Sequence, residues 1–210
     1  MNTSVTPEVA AIVAPVWVAL DRVTVTERLP RLDQAMRDAA AAMRTAVEDD
    51  AAGVTPAVRT MYKRVGLDPT KTRPSSEALL RRVRKGDELP RINSLVDVIN
   101  WCSLETRLPF GLYDADRIEG DVVLRLGRDG EGYAGIRKDT VHVAGRLTLA
   151  DALGPFGNPT SDSARTMVTT STTRALVVIF APAALPASIA AQAASVTRTR
   201  VQMFQLSSLP

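Results

Sequence analysis

RPSSEALLRRVRKGDELPRINSLVDVINWCSLETRLPFGLYDADRIEGDVVLR, residues 73–125, decides the fold. It opens on a loop and enters a helix that Ser75 or Ser76 is expected to cap, with Glu77 in the first turn. Leu79, Leu80 and Val83 share its inner face, Gly86 ends it, and Arg81, Arg82, Arg84 and Lys85 crowd its last turn. A second helix follows. Ser94 is expected to cap it, with Asp97 completing a capping-box variant. Leu95, Ile99 and Cys102 lie on one face of this helix. Asn93, Asp97 and Asn100 lie on another at spacings of four and three, and Ser103 continues the stripe. Leu108-Pro109 ends the element, Asp114 to Gly120 reads as a turn, and VVLRL alternates as a half-buried strand.

Outward from this stretch the chain mixes strands and helices. The apolar, β-branched run 11–20 and the VTVT that follows predict one or two strands. Leu29, Leu32, Met36, Met43 and Val47 recur at helical spacing and predict a helix over about 30–50, its end frayed by Glu48, Asp49 and Asp50. Thr55-Pro56 reads as the start of another helix, with Val58, Met61, Tyr62 and Val65 inward and Gly66 as its stop. Downstream, Gly127, Gly130, Gly132 and Gly135 punctuate a β-meander running through His142. Residues 151–164 read as a loop, LVVIFAP as a buried strand, and 185–196 as a last helix. The reading is α+β: a single domain over 1–210, a mixed sheet flanked by helices, without βαβ alternation or a Gly-rich phosphate loop.

Composition sets the outer bounds. The 210 residues are 45% hydrophobic but only 4% aromatic, so the core rests on Val, Leu, Ile and Ala. One cysteine, Cys102, excludes an internal disulfide. With one histidine, His142, a Cys/His zinc site is excluded too, and no metal or other cofactor is expected. Carboxylate-held Mg²⁺ stays open in principle. Cys102 reads as a buried small hydrophobe and His142 as a strand residue, and no covalent catalytic triad is evident. AAIVAPVWVAL is too short to cross a bilayer and has no basic run before it, so a cytoplasmic protein without membrane attachment is expected.

Net charge is only +3, yet Arg59 to Arg91 holds ten basic and four acidic residues. Such clustering suits a nucleic-acid backbone, with Lys63, Arg73, Arg81, Arg82, Arg84, Lys85 and Arg91 holding the phosphates. It also suits the solvated side of two helices, and charge alone leaves both open. The Asn93/Asp97/Asn100 stripe with Ser103 is a candidate pocket floor or a set of caps. Asp162, Ser163, Arg165 and Thr166, in a polar loop before the buried strand, are further pocket candidates. Asp162 and Arg165 there form an ion pair or face a ligand.

The run Asn93, Val96, Asp97, Asn100-Trp101, Glu105, Pro109, then Asp114-Ala115-Asp116-Arg117-Ile118-Glu119-Gly120, resembles the B3/B4 domain of the phenylalanyl-tRNA synthetase β chain. DSARTMVTTSTTRALVVIFAP, residues 162–182, is similar to the run before that family's last strand. RPSSEALLRRVRKGDELP resembles its free-standing branch, and the likeness is strongest over 60–182. The resemblance implies a domain that binds the tRNA acceptor end or an aminoacyl-tRNA and hydrolyses misacylated ester in trans, without a synthetase's ligase activity. It implies a pocket lined by Asn100, Ser103, Asp162, Arg165 and Thr166. The alternative it leaves is a non-catalytic protein that binds RNA or an amino-acid-like metabolite on the same fold. Two positions depart from the family pattern. Gly111 stands where bacterial members carry histidine, and the glutamate that reads a tyrosine hydroxyl falls near Val178.

Overall fold

A computed structural model describes residues 1–45, 50, 52–137, 139–204 and 206. Three antiparallel strands form its central sheet: β2 (Val13–Leu20), β9 (Ala175–Pro182) and β3 (Phe110–Asp114), in the order β2-β9-β3. All eight residues of β9 are buried, as the uninterrupted LVVIFAP run requires of a middle strand covered on both faces. The second sheet runs β1 (Thr3–Val5), β4 (Val122–Leu126), β7 (Leu147–Asp151), β8 (Gly154–Gly157), with β1 parallel to β4. A hairpin of β5 (Gly132–Ala134) and β6 (Thr140–His142) completes the strands. Phe156 of β8 meets Tyr113 of β3 edge-on at 5.0 Å, which ties the two larger sheets together.

Among the described residues six helices pack around these sheets: α1 (Pro7–Ala10), α2 (Pro30–Thr45), α3 (Val54–Arg64), α4 (Ser75–Arg84), α5 (Ser94–Thr106) and α6 (Ala187–Met203). The mixed α+β class is as the sequence predicts. α5 is the hub, touching α2, α4, α6 and β3. It is buried around most of its girth, Leu95, Val98, Ile99, Cys102 and Leu104 included, which suits a helix enclosed by others. α2 buries Leu32, Met36 and Ala40; the expected continuation over 46–49, with Val47, lies outside the described residues.

Several local expectations give way to tertiary contacts. Thr55 does not cap α3; the Asp50 carboxylate does, accepting from the amides of Val54 and Thr55 at 2.8 and 2.9 Å. Neither Ser75 nor Ser76 caps α4, whose preceding residue is Pro74, and both hydroxyls lack a hydrogen-bond partner. Asn93, not Ser94, caps α5 by accepting from Val96 N at 3.0 Å. Ser94 is spent on Thr26, whose amide it binds at 3.0 Å, and Asp97 accepts from Ile92 N at 2.8 Å. VTVT is not a strand: its amides pair singly with Thr173, Leu206 and Ser94. The loop expected at 151–164 begins as the β7–β8 hairpin, and α6 runs seven residues past its expected end at 196. Gly66 closes α3 at φ +71, the left-handed conformation that glycine adopts without strain.

Among the described residues no helix is long and apolar enough to cross a membrane. None of their His, Cys, Asp and Glu side chains group in a way that could hold a metal ion.

Candidate functional site

A pocket of about 220 Å³ opens where five parts of the chain meet. Ser75 from the first turn of α4, Asn100 from mid-α5, Phe110 at the start of β3 and Ile136 beyond β5 form its walls. The loop Asn158-Pro159-Thr160-Ser161-Asp162 forms the rest. Among the described residues the lining is mixed: two amides, three hydroxyls, one carboxylate and three apolar side chains.

The loop is held by residues far from it in sequence. The chain has three tyrosines, and each one hydrogen-bonds this loop. Tyr62 of α3 donates to the Pro159 carbonyl at 2.9 Å and lies 3.1 Å from the Thr160 hydroxyl. Tyr133 of β5 donates to the Ser161 carbonyl and accepts from the Asn158 amide at 2.9 Å. Tyr113 of β3 donates to Asp162 Oδ1 at 2.6 Å. Within the loop, Asn158 Oδ1 accepts from the amides of Thr160 and Ser161, an Asx turn. Burial pushes all three phenols well above their ordinary pKa; for Tyr113 and Tyr133 the nearby Asp162 adds to the rise. They therefore stay protonated and act as donors at any physiological pH.

Tyr113 also accounts for Gly111 and Gly157. A Cβ at Gly111 would lie 2.2 Å from the Tyr113 hydroxyl oxygen, and one at Gly157 would lie 2.3 Å from it. The phenol tip thus rests directly on two backbones, in space that a side chain at either position would need. Gly111 pairs with Val178 across β3 and β9, so the two departures from the family pattern face each other in the ladder. Val178 is fully buried, and neither residue lines the pocket.

Of the stripe on α5, Asn100 alone reaches the pocket. Asn93 and Asp97 fasten the start of the helix, and burial raises the Asp97 pKa. Ser103 is buried and donates to the Leu108 carbonyl at 2.7 Å. In the polar loop, Asp162 lines the pocket but does not pair with Arg165. The guanidinium instead forms a two-pronged bond with Asp151, both distances 2.9 Å, and sits over the Phe156 ring. Ser163 accepts from Arg165 N at 3.1 Å, and Thr166 is buried with its hydroxyl unpartnered. Neither one lines the cavity. Cys102 and His142 are as expected, one buried with its thiol pKa raised by burial, the other exposed on β6.

The charged window forms a second feature. Between α3 and α4 runs a groove of about 540 Å³, lined by Arg59, Arg73, Arg81, Arg84, Lys85 and Arg107 against two acids, Asp50 and Glu77. Arg59 pairs with Glu77 at 2.7 Å and Arg107 approaches Asp50 at 3.7 Å. Of the basic residues expected to hold phosphates, Arg73, Arg81, Arg84 and Lys85 meet here. Arg82 turns away to the Glu88 carbonyl, and Arg91 is engaged by Asp33 and the Asp33 carbonyl. Lys63 is exposed on α3 outside the groove. Arg107, held in a left-handed conformation at the end of α5, joins the groove although nothing in its local sequence marks it. α4 links the two features, with Ser75 at the pocket and Arg81, Arg84 and Lys85 at the groove, spanning about 15 Å of helix axis from residue 75 to 85.

Residues 57–202 match the protein family described as the B3/4 domain. The phenylalanine–tRNA ligase β subunit of Paramagnetospirillum magneticum is 33% identical in an alignment of 90 residues that covers 37% of this chain and 11% of that protein. The corresponding subunit of Psychrobacter arcticus is 35% identical over 103 residues, 48% of this chain and 13% of the relative. The chain thus spans little more than a tenth of the length of these relatives. An N-terminal fragment of the phenylalanyl-tRNA synthetase β subunit from Pyrococcus horikoshii superposes at a TM-score of 0.49 and 13% identity. That match covers 96% of this chain and 48% of the fragment.

Proposed function

The chain belongs to the B3/4 domain family, and from that premise we propose that it binds the aminoacylated acceptor end of a tRNA and hydrolyses misacylated ester in trans. The observation that carries the reading is the placement of α4 between a cationic groove and a small polar pocket. A phosphate backbone suits the groove, where Arg73, Arg81, Arg84 and Lys85 gather. The esterified residue suits the pocket, which Asn100 lines.

Ester hydrolysis of this kind rests on placing a water and stabilising developing charge, not on a dedicated nucleophile. The lining supplies the polar groups for that work: the amides of Asn100 and Asn158 and the hydroxyls of Ser75, Thr160 and Ser161. The Ser75 hydroxyl is buried and has no hydrogen-bond partner among the described residues. Cys102 is buried outside the pocket, with Arg200 donating to its sulfur at 3.7 Å, and is assigned no part.

Deacylation of a panel of misacylated tRNAs tests the reading. At least one aminoacyl group is expected to be released faster than in buffer. Release at the buffer rate for every member would contradict hydrolysis.

A further inference from the structure

We propose that Arg107 is a phosphate-binding residue of the groove, and that the chain keeps it in a strained backbone conformation because that conformation places its guanidinium there. The inference rests on the acceptor-end reading above and adds a residue at the end of α5 to the contacts on α4. Helices α3, α4 and α5 each end on a left-handed residue. For α3 and α4 it is a glycine, Gly66 at φ +71 and Gly86 at φ +90. For α5 it is Arg107, at φ +60. Glycine takes this conformation without strain, whereas a Cβ there crowds the following carbonyl oxygen. Such a conformation persists where its surroundings impose it, and it concentrates at functional positions. The helix dipole does not call for arginine at this point. α4 meets that need with Arg81, Arg82 and Arg84 in its last turn, ahead of its glycine.

What the position supplies is placement. The Arg107 side chain lines the groove with only 13% of its surface exposed. Among the described residues its guanidinium has one partner, Asp50 Oδ1 at 3.7 Å, a distance of charge attraction rather than of a hydrogen bond. Asp50 is itself fixed, its two oxygens accepting from the Val54 and Thr55 amides at 2.8 and 2.9 Å. The guanidinium is thus held in place with N–H donors left for phosphate oxygens. α5 also carries Asn100 of the pocket, about 10 Å of helix axis away, so this helix, like α4, serves both features.

The test measures binding of an unacylated tRNA over a range of salt concentrations, together with thermal melting of each protein. Arg107→Gln keeps a polar stem and the backbone conformation but loses the charge. It is expected to weaken binding several-fold and to flatten the dependence of log K on log salt by about 0.7 to 0.9, the share of one phosphate. Arg107→Gly is expected to lose binding to the same extent and to melt about 2 to 4 °C above Arg107→Gln, because it removes the backbone strain. A side chain kept only for packing or for its ion pair would leave the salt slope unmoved. An unchanged slope in Arg107→Gln, where alanine at Arg81, Arg84 and Lys85 together does flatten it, would overturn the assignment and leave the acceptor-end reading intact. Unchanged slopes in both would overturn the phosphate-groove reading as well. Arg107→Gly melting no higher than Arg107→Gln would overturn the claim that the chain carries strain for the sake of this residue. No binding of tRNA by the unaltered chain would overturn both the assignment and the acceptor-end reading.

Discussion

Replacing Arg81, Arg84 and Lys85 together by alanine is expected to weaken tRNA binding by roughly an order of magnitude or more at moderate salt. The dependence of log K on log salt should flatten by about three, one for each phosphate that is no longer neutralised. The expectation follows from where these side chains stand. They crowd the end of α4, all three are exposed, and all three line the groove. Stability should change little, because surface substitutions away from special features stay within about 0.5 kcal/mol, and the helix-dipole contribution they remove is of the same order. A salt titration of binding with each protein supplies the check. An unchanged slope would make the groove a solvated face between α3 and α4. Arg82→Ala is the matched control: its guanidinium turns to the Glu88 carbonyl, so it should leave the slope alone.

Gly111→Ala is expected to destabilise the fold by about 3 kcal/mol or more, the upper range for overpacking a filled core. The added methyl would meet the Tyr113 hydroxyl oxygen at 2.2 Å and ring carbons at 2.7 Å. The ring cannot retreat, because Phe156 and the Gly157 backbone bound it on the other side. Urea unfolding of Gly111→Ala, Tyr113→Ala and the double variant separates the causes. If the clash is the reason, adding Gly111→Ala to Tyr113→Ala should cost far less than adding it to the unaltered chain. Equal costs in both backgrounds would place the strain elsewhere.

The same pair shows what sequence could and could not disclose. Helices α2 to α5 were legible because apolar residues recur at helical spacing, and β9 because seven apolar residues in a row need burial on both sides. The basic cluster was legible as a local charge excess. The pocket was legible at Asn100 and Asp162 only, since which polar residue faces a cavity depends on partners far along the chain. Asn93, Asp97 and Ser103 share the α5 stripe with Asn100, yet all three are consumed by backbone groups at the ends of the helix. The strand β3 was hidden because FGLYD is short, contains glycine and follows proline. Its burial comes from β9 beside it, α5 packed against it and Phe156 above it. Phe110 reaches the pocket from this strand. The tyrosine triad carried one faint signal: in a chain with so few aromatics, three tyrosines far apart in sequence are costly to keep and tend to have partners.

Affinity for one tRNA with and without its aminoacyl group tests the central claim most directly. The charged form carries its amino acid through a 3′-amide, so hydrolysis cannot intervene, and both forms are measured at one salt concentration because the groove's contribution depends on it. The pocket, with Asn100 and Asp162 facing the cavity, predicts that the aminoacylated tRNA binds about tenfold or more tighter than the bare one. Equal affinity for the two would contradict the account.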